Sequence, residues 1–148
     1  MPTLSTQDYI QTLKFAVENG QEASMVITGN SMAPFLYHER DVIYFKAPDA
    51  PLKKGDMVFF QRSSGQFVMH RLWKKKKDGW FIIGDNQSEP EGPISENQIF
   101  AKVVRIKRKD HIIGPHNFIW FFFAHIWIHL IPFRRILIRI YQILRFRK

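Results

Sequence analysis

A chain of 148 residues with a formal net charge of +9 and no cysteine is long enough for one domain with a sizeable core. The missing cysteine excludes disulfides, thiol catalysis and cysteine-based zinc sites. The charge is uneven: residues 1–100 hold 11 Lys and Arg against 12 Asp and Glu, whereas residues 101–148 hold 11 against Asp110 alone. A localised basic segment points to an anionic partner surface, either lipid headgroups or nucleic acid.

Ser5 to Asn19 is predicted as an amphipathic helix. Ser5 and Asp8 form a loose capping box, Asn19-Gly20 ends the helix, and Tyr9, Leu13, Ala16 and Val17 share one face. Met1 to Gly20 lacks a charged start followed by an apolar run, so no export signal is expected there. Short apolar, β-branched and aromatic runs follow: Met25–Thr28, Asp41–Lys46, Met57–Arg62, Gln66–Trp73, Trp80–Gly84 and Ile99–Lys107. Pro48-Asp49-Ala50-Pro51, Ser63-Ser64-Gly65 and Asp78-Gly79 separate them as turns. Strands at this spacing predict a mainly β, antiparallel fold. Lys74–Lys77 reads as a solvated hairpin tip, with contact to acidic lipid as the alternative.

After Gly114-Pro115 the composition changes. Phe118 to Ile131 is nearly all apolar, but 14 helical residues span only ~21 Å, short of a ~30 Å hydrocarbon core. Pro132 breaks the run, and Phe133–Lys148 is predicted as a second helix. Phe133, Ile136, Leu137, Ile140, Tyr141 and Leu144 form its apolar stripe, with Arg135, Arg139, Gln142 and Arg145 turned away. That pattern is an interfacial membrane helix. The membrane-binding set is then Phe118, Trp120, Trp127, Arg134, Arg135, Arg139 and Arg145, with Arg147 and Lys148 adding charge. RNA or DNA has no use for so broad an apolar face, which disfavours nucleic acid. His125 and His129 lie on one helical face, but a metal needs a third ligand, so packing or interfacial roles are expected. The organisation expected is an N-terminal helix over residues 1–23, a β domain over 24–113 and a helical tail over 114–148.

The chemistry sits in the β domain. Ser31 lies in Gly29-Asn30-Ser31-Met32-Ala33-Pro34, between an apolar strand and a proline-limited turn. A serine there presents its hydroxyl at a strand end, with the Asn30 and Ser31 amides able to point at one spot. Attack on a carbonyl needs a base for the serine proton and donors for the oxyanion. His70, in Val68-Met69-His70-Arg71, is the candidate base; Val68 and Leu72 share its face beside the core. Its carboxylate partner would come from the Gly84–Glu91 loop. Asp85, in Gly84-Asp85-Asn86, also suits a structural role in a turn, because Asp and Asn side chains bond their own backbone.

Four boxes in this order resemble the signal peptidase I superfamily, which also contains the LexA-type self-cleaving repressors. They are Ser31-Met32-Ala33-Pro34, Gly55-Asp56-Met57-Val58-Phe59-Phe60, the base strand around His70, and Gly84-Asp85-Asn86. Bacterial signal peptidases and LexA-type proteins use lysine as the base; His70-Arg71 is similar to the archaeal and endoplasmic-reticulum branch. That branch implies an acidic third member shortly after Gly-Asp-Asn, for which Glu91 is the best match; Asp85, inside the box, is the other candidate, and no acidic partner the remaining option. Gly29 stands where some members carry a hydroxyl donor, which leaves the oxyanion to the Asn30 and Ser31 amides. The resemblance covers residues 24–108. It implies a membrane-associated serine endopeptidase, without cofactor or metal, cleaving an extended peptide or protein substrate with small side chains before the scissile bond. The alternatives are a catalytically inactive peptide-binding or membrane-scaffold module and a LexA-like regulatory protease. Positive-inside bias predicts peripheral attachment to the cytoplasmic face of an anionic membrane, with an extracytoplasmic active site as the other topology.

Overall fold

The computed structural model describes residues 6–146. Ser5, read above as a helix cap, and Arg147 and Lys148 lie outside them. The first helix, α1, runs Thr6–Glu18. Its buried residues are Ile10 and Val17, with Leu13 partly buried between them. Tyr9, expected on that face, is 43% exposed: the i, i+3, i+7 row that meets the sheet starts one residue later than predicted.

Eight strands follow: β1 (Ala23–Val26), β2 (Asp41–Lys46), β3 (Met57–Gln61), β4 (Phe67–Lys76), β5 (Gly79–Ile83), β6 (Glu91–Ile94), β7 (Ile99–Arg108) and β8 (His111–Ile113). They form one sheet in the order β1-β2-β7-β3-β4-β5-β6, with β8 on β7. Every pairing is antiparallel. The mainly β, antiparallel fold expected from the strand spacing is therefore present. β6 and β8 are additions. Glu91-Gly92-Pro93-Ile94 carries the two residue types that weaken a strand reading, and β8 has only three residues, so neither stands out in the sequence.

Both faces of the central strands are covered. On β3, Met57 and Phe59 enter one apolar cluster with α1, β1, β2 and β7, while Val58 and Phe60 enter a second with Leu72, Trp80 and Ile82. This alternation is why Met57–Phe60 is apolar at every position.

The C-terminal segment departs from expectation. Helix α2 spans Phe118–His125, two single 3₁₀ turns follow at Trp127–His129 and Ile131–Phe133, and α3 spans Arg134–Phe146. Trp120, Phe123, Ala124 and Trp127 belong to the main core. Phe35, just after the Ser31 box, packs edge-to-face on Trp120 with ring centroids 5.9 Å apart and lies tilted against Phe123 at 5.0 Å. Three residues assigned to a lipid-facing surface are thus buried instead: Trp120, Trp127 and Arg134, the last only 1% exposed. An all-apolar run satisfies core burial as well as lipid contact, and composition alone does not separate the two. Gly55 shows how closely α2 docks. A Cβ on it would lie 2.5 Å from the Ala124 carbonyl oxygen, and its φ of +96° is one that L side chains rarely adopt. Among the described residues no single helix is long and apolar enough to cross a membrane; the two C-terminal helical segments meet at a bend of 90°.

Candidate active site

Ser31 follows β1 by a short loop and opens a helical turn in which the Leu36 amide bonds the Met32 carbonyl, 2.8 Å. The turn is anchored from behind. Met32, Phe35 and Leu36 are buried, and the Asp41 carboxylate accepts from the Tyr37 amide at 2.9 Å. Ser31 itself stays exposed. His70 projects from β4, opposite Val58 of β3, and is 3% exposed. Its strand neighbours Val68 and Leu72 lie in the second cluster, as the alternation predicts.

The loop after β5 joins these two parts. The Asn86 amide donates to the Ser31 carbonyl at 2.9 Å, and Asn86 Nδ2 donates to the Asn30 carbonyl at 3.2 Å. In a planar trans peptide the N–H points opposite the preceding carbonyl. With the Asn30 carbonyl committed to Asn86, the Ser31 N–H points away from that loop. Gly84 sits between Ser31 and His70: a Cβ there would lie 2.6 Å from the Ser31 carbonyl oxygen and 3.1 Å from His70 Nε2. The glycine of the Gly-Asp-Asn box is therefore required by close approach rather than by turn geometry. Ser31 and His70 both line a cleft of about 320 Å³, whose walls include Met25 and Ile27 at the sheet's terminal strand and Phe67–Met69 of β4.

Neither candidate carboxylate hydrogen-bonds the imidazole. Asp85 is fully buried and takes both its bonds from Arg71, Nε to Oδ1 and Nη2 to Oδ2, each 2.9 Å. Its side chain thus ties the loop to β4 and does not bond its own backbone as the turn reading expects. Glu91 is gripped by Arg62, with Nε to Oε2 at 2.7 Å and Nη2 to Oε1 at 2.6 Å. The Arg62 hydrogen bonds hold Glu91 below the usual carboxylate range. His70 Nδ1 is buried without a hydrogen-bond partner among the described residues. Burial pushes the imidazole down to about 4; the Glu91 and Asp85 charges oppose that shift and Arg62 reinforces it. An unperturbed imidazole, as assumed from sequence, would titrate near ~6–7.

The site also uses residues that the sequence reading assigned elsewhere. Arg71 Nη1 donates to the Gly55 carbonyl at 2.8 Å, so one guanidinium ties the Gly-Asp strand to the Gly-Asp-Asn box. Trp127 Nε1 donates to the Asp85 carbonyl at 2.9 Å. Arg134 Nη1 donates to the carbonyls of Gly84 at 2.9 Å and Gln87 at 2.8 Å. Burial pushes the Arg134 guanidinium down to about 10, which leaves it charged at neutral pH. Arg71 has a local signal, its place beside His70 in an alternating strand. Trp127 and Arg134 have none, because each bonds a loop more than 40 residues earlier in the chain.

A family model described as peptidase S24-like matches residues 2–104. The chain belongs to this family. The match spans the Ser31, Gly55, His70 and Gly84 boxes and stops before the C-terminal helices. It places the chain in the LexA and signal-peptidase-like superfamily of serine peptidases, with the antiparallel β-fold described above. No curated protein matches the chain.

Proposed function

We propose that this S24-like protein is a serine endopeptidase in which Ser31 is the nucleophile and His70 the base. The observation that carries the reading is an exposed serine and a buried histidine lining one cleft, with Gly84 packed closely between the Ser31 carbonyl and the imidazole. Ser31 Oγ attacks the scissile carbonyl while its proton passes to His70 Nε2. The imidazolium returns that proton to the leaving amine as the C–N bond breaks. Water, deprotonated by the same nitrogen, then opens the acyl-enzyme and restores the Ser31 hydroxyl. The Asn30 and Ser31 amides serve the oxyanion. The substrate lies extended between the outer edge of β1 and the Phe67–Met69 stretch of β4, a recognition mode that uses main-chain hydrogen bonds for affinity. The Met and Ile side chains of the cleft suit an uncharged, small or apolar residue next to the scissile bond.

In this arrangement the base works as a dyad with Ser31. Glu91 acts on it through charge, as one half of the Arg62 pair. The test is cleavage of a peptide library, and labelling by a fluorophosphonate, with wild type, Ser31→Ala and His70→Ala. Each substitution should abolish both signals with the melting temperature preserved, and the double variant should lose little more than either single one. Full activity in Ser31→Ala would refute the assignment. A folded protein that neither cleaves nor labels would favour the inactive peptide-binding module.

A further inference from the structure

We propose that the outward face of α3 docks on an anionic lipid surface, with the helix lying in the headgroup plane. This interaction surface is independent of the peptidase reading. The inward face of α3 is already used. Arg134 is buried beneath the Gly84–Gln87 loop, Ile138 packs on the main core, and Arg145 lies 5.4 Å from the Tyr37 ring. Arg145, expected to face lipid, is therefore turned toward the protein.

Rotated away from that contact are Phe133, Ile136, Leu137, Ile140, Ile143 and Leu144, all at least 36% exposed. A contiguous apolar row of this length left in water marks an interaction site. Its flank carries Arg135 and Arg139, which make no ion pair among the described residues and are exposed. No acidic residue occurs after Asp110. Lys54 and Lys74 line a groove of about 570 Å³ with Ile131 and Pro132, in the turn that precedes α3.

An apolar row bordered by unpaired cations complements a bilayer interface that is apolar below and anionic above. α3 alone is too short to cross a membrane, and the 90° bend before it suits a helix lying along the surface. A second copy of the chain fits less well. A two-fold interface would bring the same arginine flank of each copy together, with no acidic side chain on the helix to balance it.

The test is co-sedimentation of the full chain with vesicles of phosphatidylcholine alone and of phosphatidylcholine with one-quarter phosphatidylglycerol. Binding should favour the anionic vesicles, and high salt should release only part of the protein. Arg135→Gln with Arg139→Gln should weaken binding to anionic vesicles about 30-fold while leaving neutral vesicles unaffected. Ile136→Glu with Ile140→Glu should remove binding to both. Because these positions are exposed, the melting temperature and any peptidase activity on a soluble peptide should not change. A separate Ile140→Trp reporter should show a blue-shifted emission with anionic vesicles, whether or not the glutamate variant folds. No sedimentation with either vesicle and no emission shift would overturn the proposal. So would a solution dimer that dissociates in Ile140→Glu.

Discussion

His70 is buried more completely than a surface imidazole and has no acid bonded to Nδ1, so its proton affinity is set mainly by desolvation. Two consequences follow from a folded value of about 4 against an ordinary 6.5. Catalysis needs the neutral ring, so kcat/KM should hold level from roughly pH 8 down to 5 and fall below that. Stability follows the same group. The folded value is depressed, so between pH 6.5 and 4 the unfolded chain binds the proton more readily. Stability is fully present above pH 6.5 and is lost as pH falls toward 4, by up to roughly 3 kcal/mol at 1.36 kcal/mol per pH unit. Histidine NMR titration reads the value directly. Removing the neighbouring cation in Arg62→Gln should raise it, and Glu91→Gln should lower it. Movement in the opposite directions would contradict the charge arrangement. The two acids also differ in what they support. Asp85→Asn strands the buried Arg71 charge and should cost about 3–5 kcal/mol in denaturant unfolding, whereas Glu91→Gln, at a partly exposed pair, should leave unfolding nearly unchanged. Ser31 and His70 were legible because each lies in a box with a local pattern. The partners of Asp85 and Glu91 were not, since Arg71 and Arg62 lie 14 and 29 residues away and only the strand register brings them together.

Helix α2 changes meaning between sequence and structure. Phe118–His125 has the composition of a lipid-seeking segment, yet Trp120, Phe123 and Ala124 fill the core beside the Ser31 turn. Its exposed residues, such as Phe118 and Phe121, are interleaved with the buried ones, so both readings fit the same string. A chain ending at Lys109 would uncover Phe35 and Gly55 and leave the Asp85 carbonyl without its Trp127 donor. It should be aggregation-prone or molten, with dye binding and weak near-ultraviolet circular dichroism. A sharp, cooperative melt close to that of the full chain would show that α2 is dispensable. The strands were legible where alternation is undisturbed, as in Asp41–Lys46, whose bounds are those observed. β6 was lost because its pairing with β5 tolerates the glycine and proline that local rules read as a break.

At the scale of the whole molecule, the proposed catalytic cleft and the proposed lipid-docking helix share one body. Gln87 borders the Ser31 cleft and also the groove between the 86–89 loop and α3, so one loop separates the two. The basic excess of the sequence falls on β7 and α3, which hold Lys102, Arg105, Lys107 and Arg108, and Arg134, Arg135, Arg139 and Arg145. Arg134 stands at the junction, holding the loop carbonyls of Gly84 and Gln87 with its guanidinium while its backbone begins the outward-facing helix. That position carries a consequence for the order of synthesis. On the ribosome, the segments bearing Ser31, His70 and Gly84 emerge first and can pair their strands, but the clamp on the Gly84–Gln87 loop is made by a residue translated some fifty positions after Gly84. The nascent chain therefore holds all the chemical groups of the site before it holds their fixed arrangement, and the same residue that completes that arrangement announces the helix that follows.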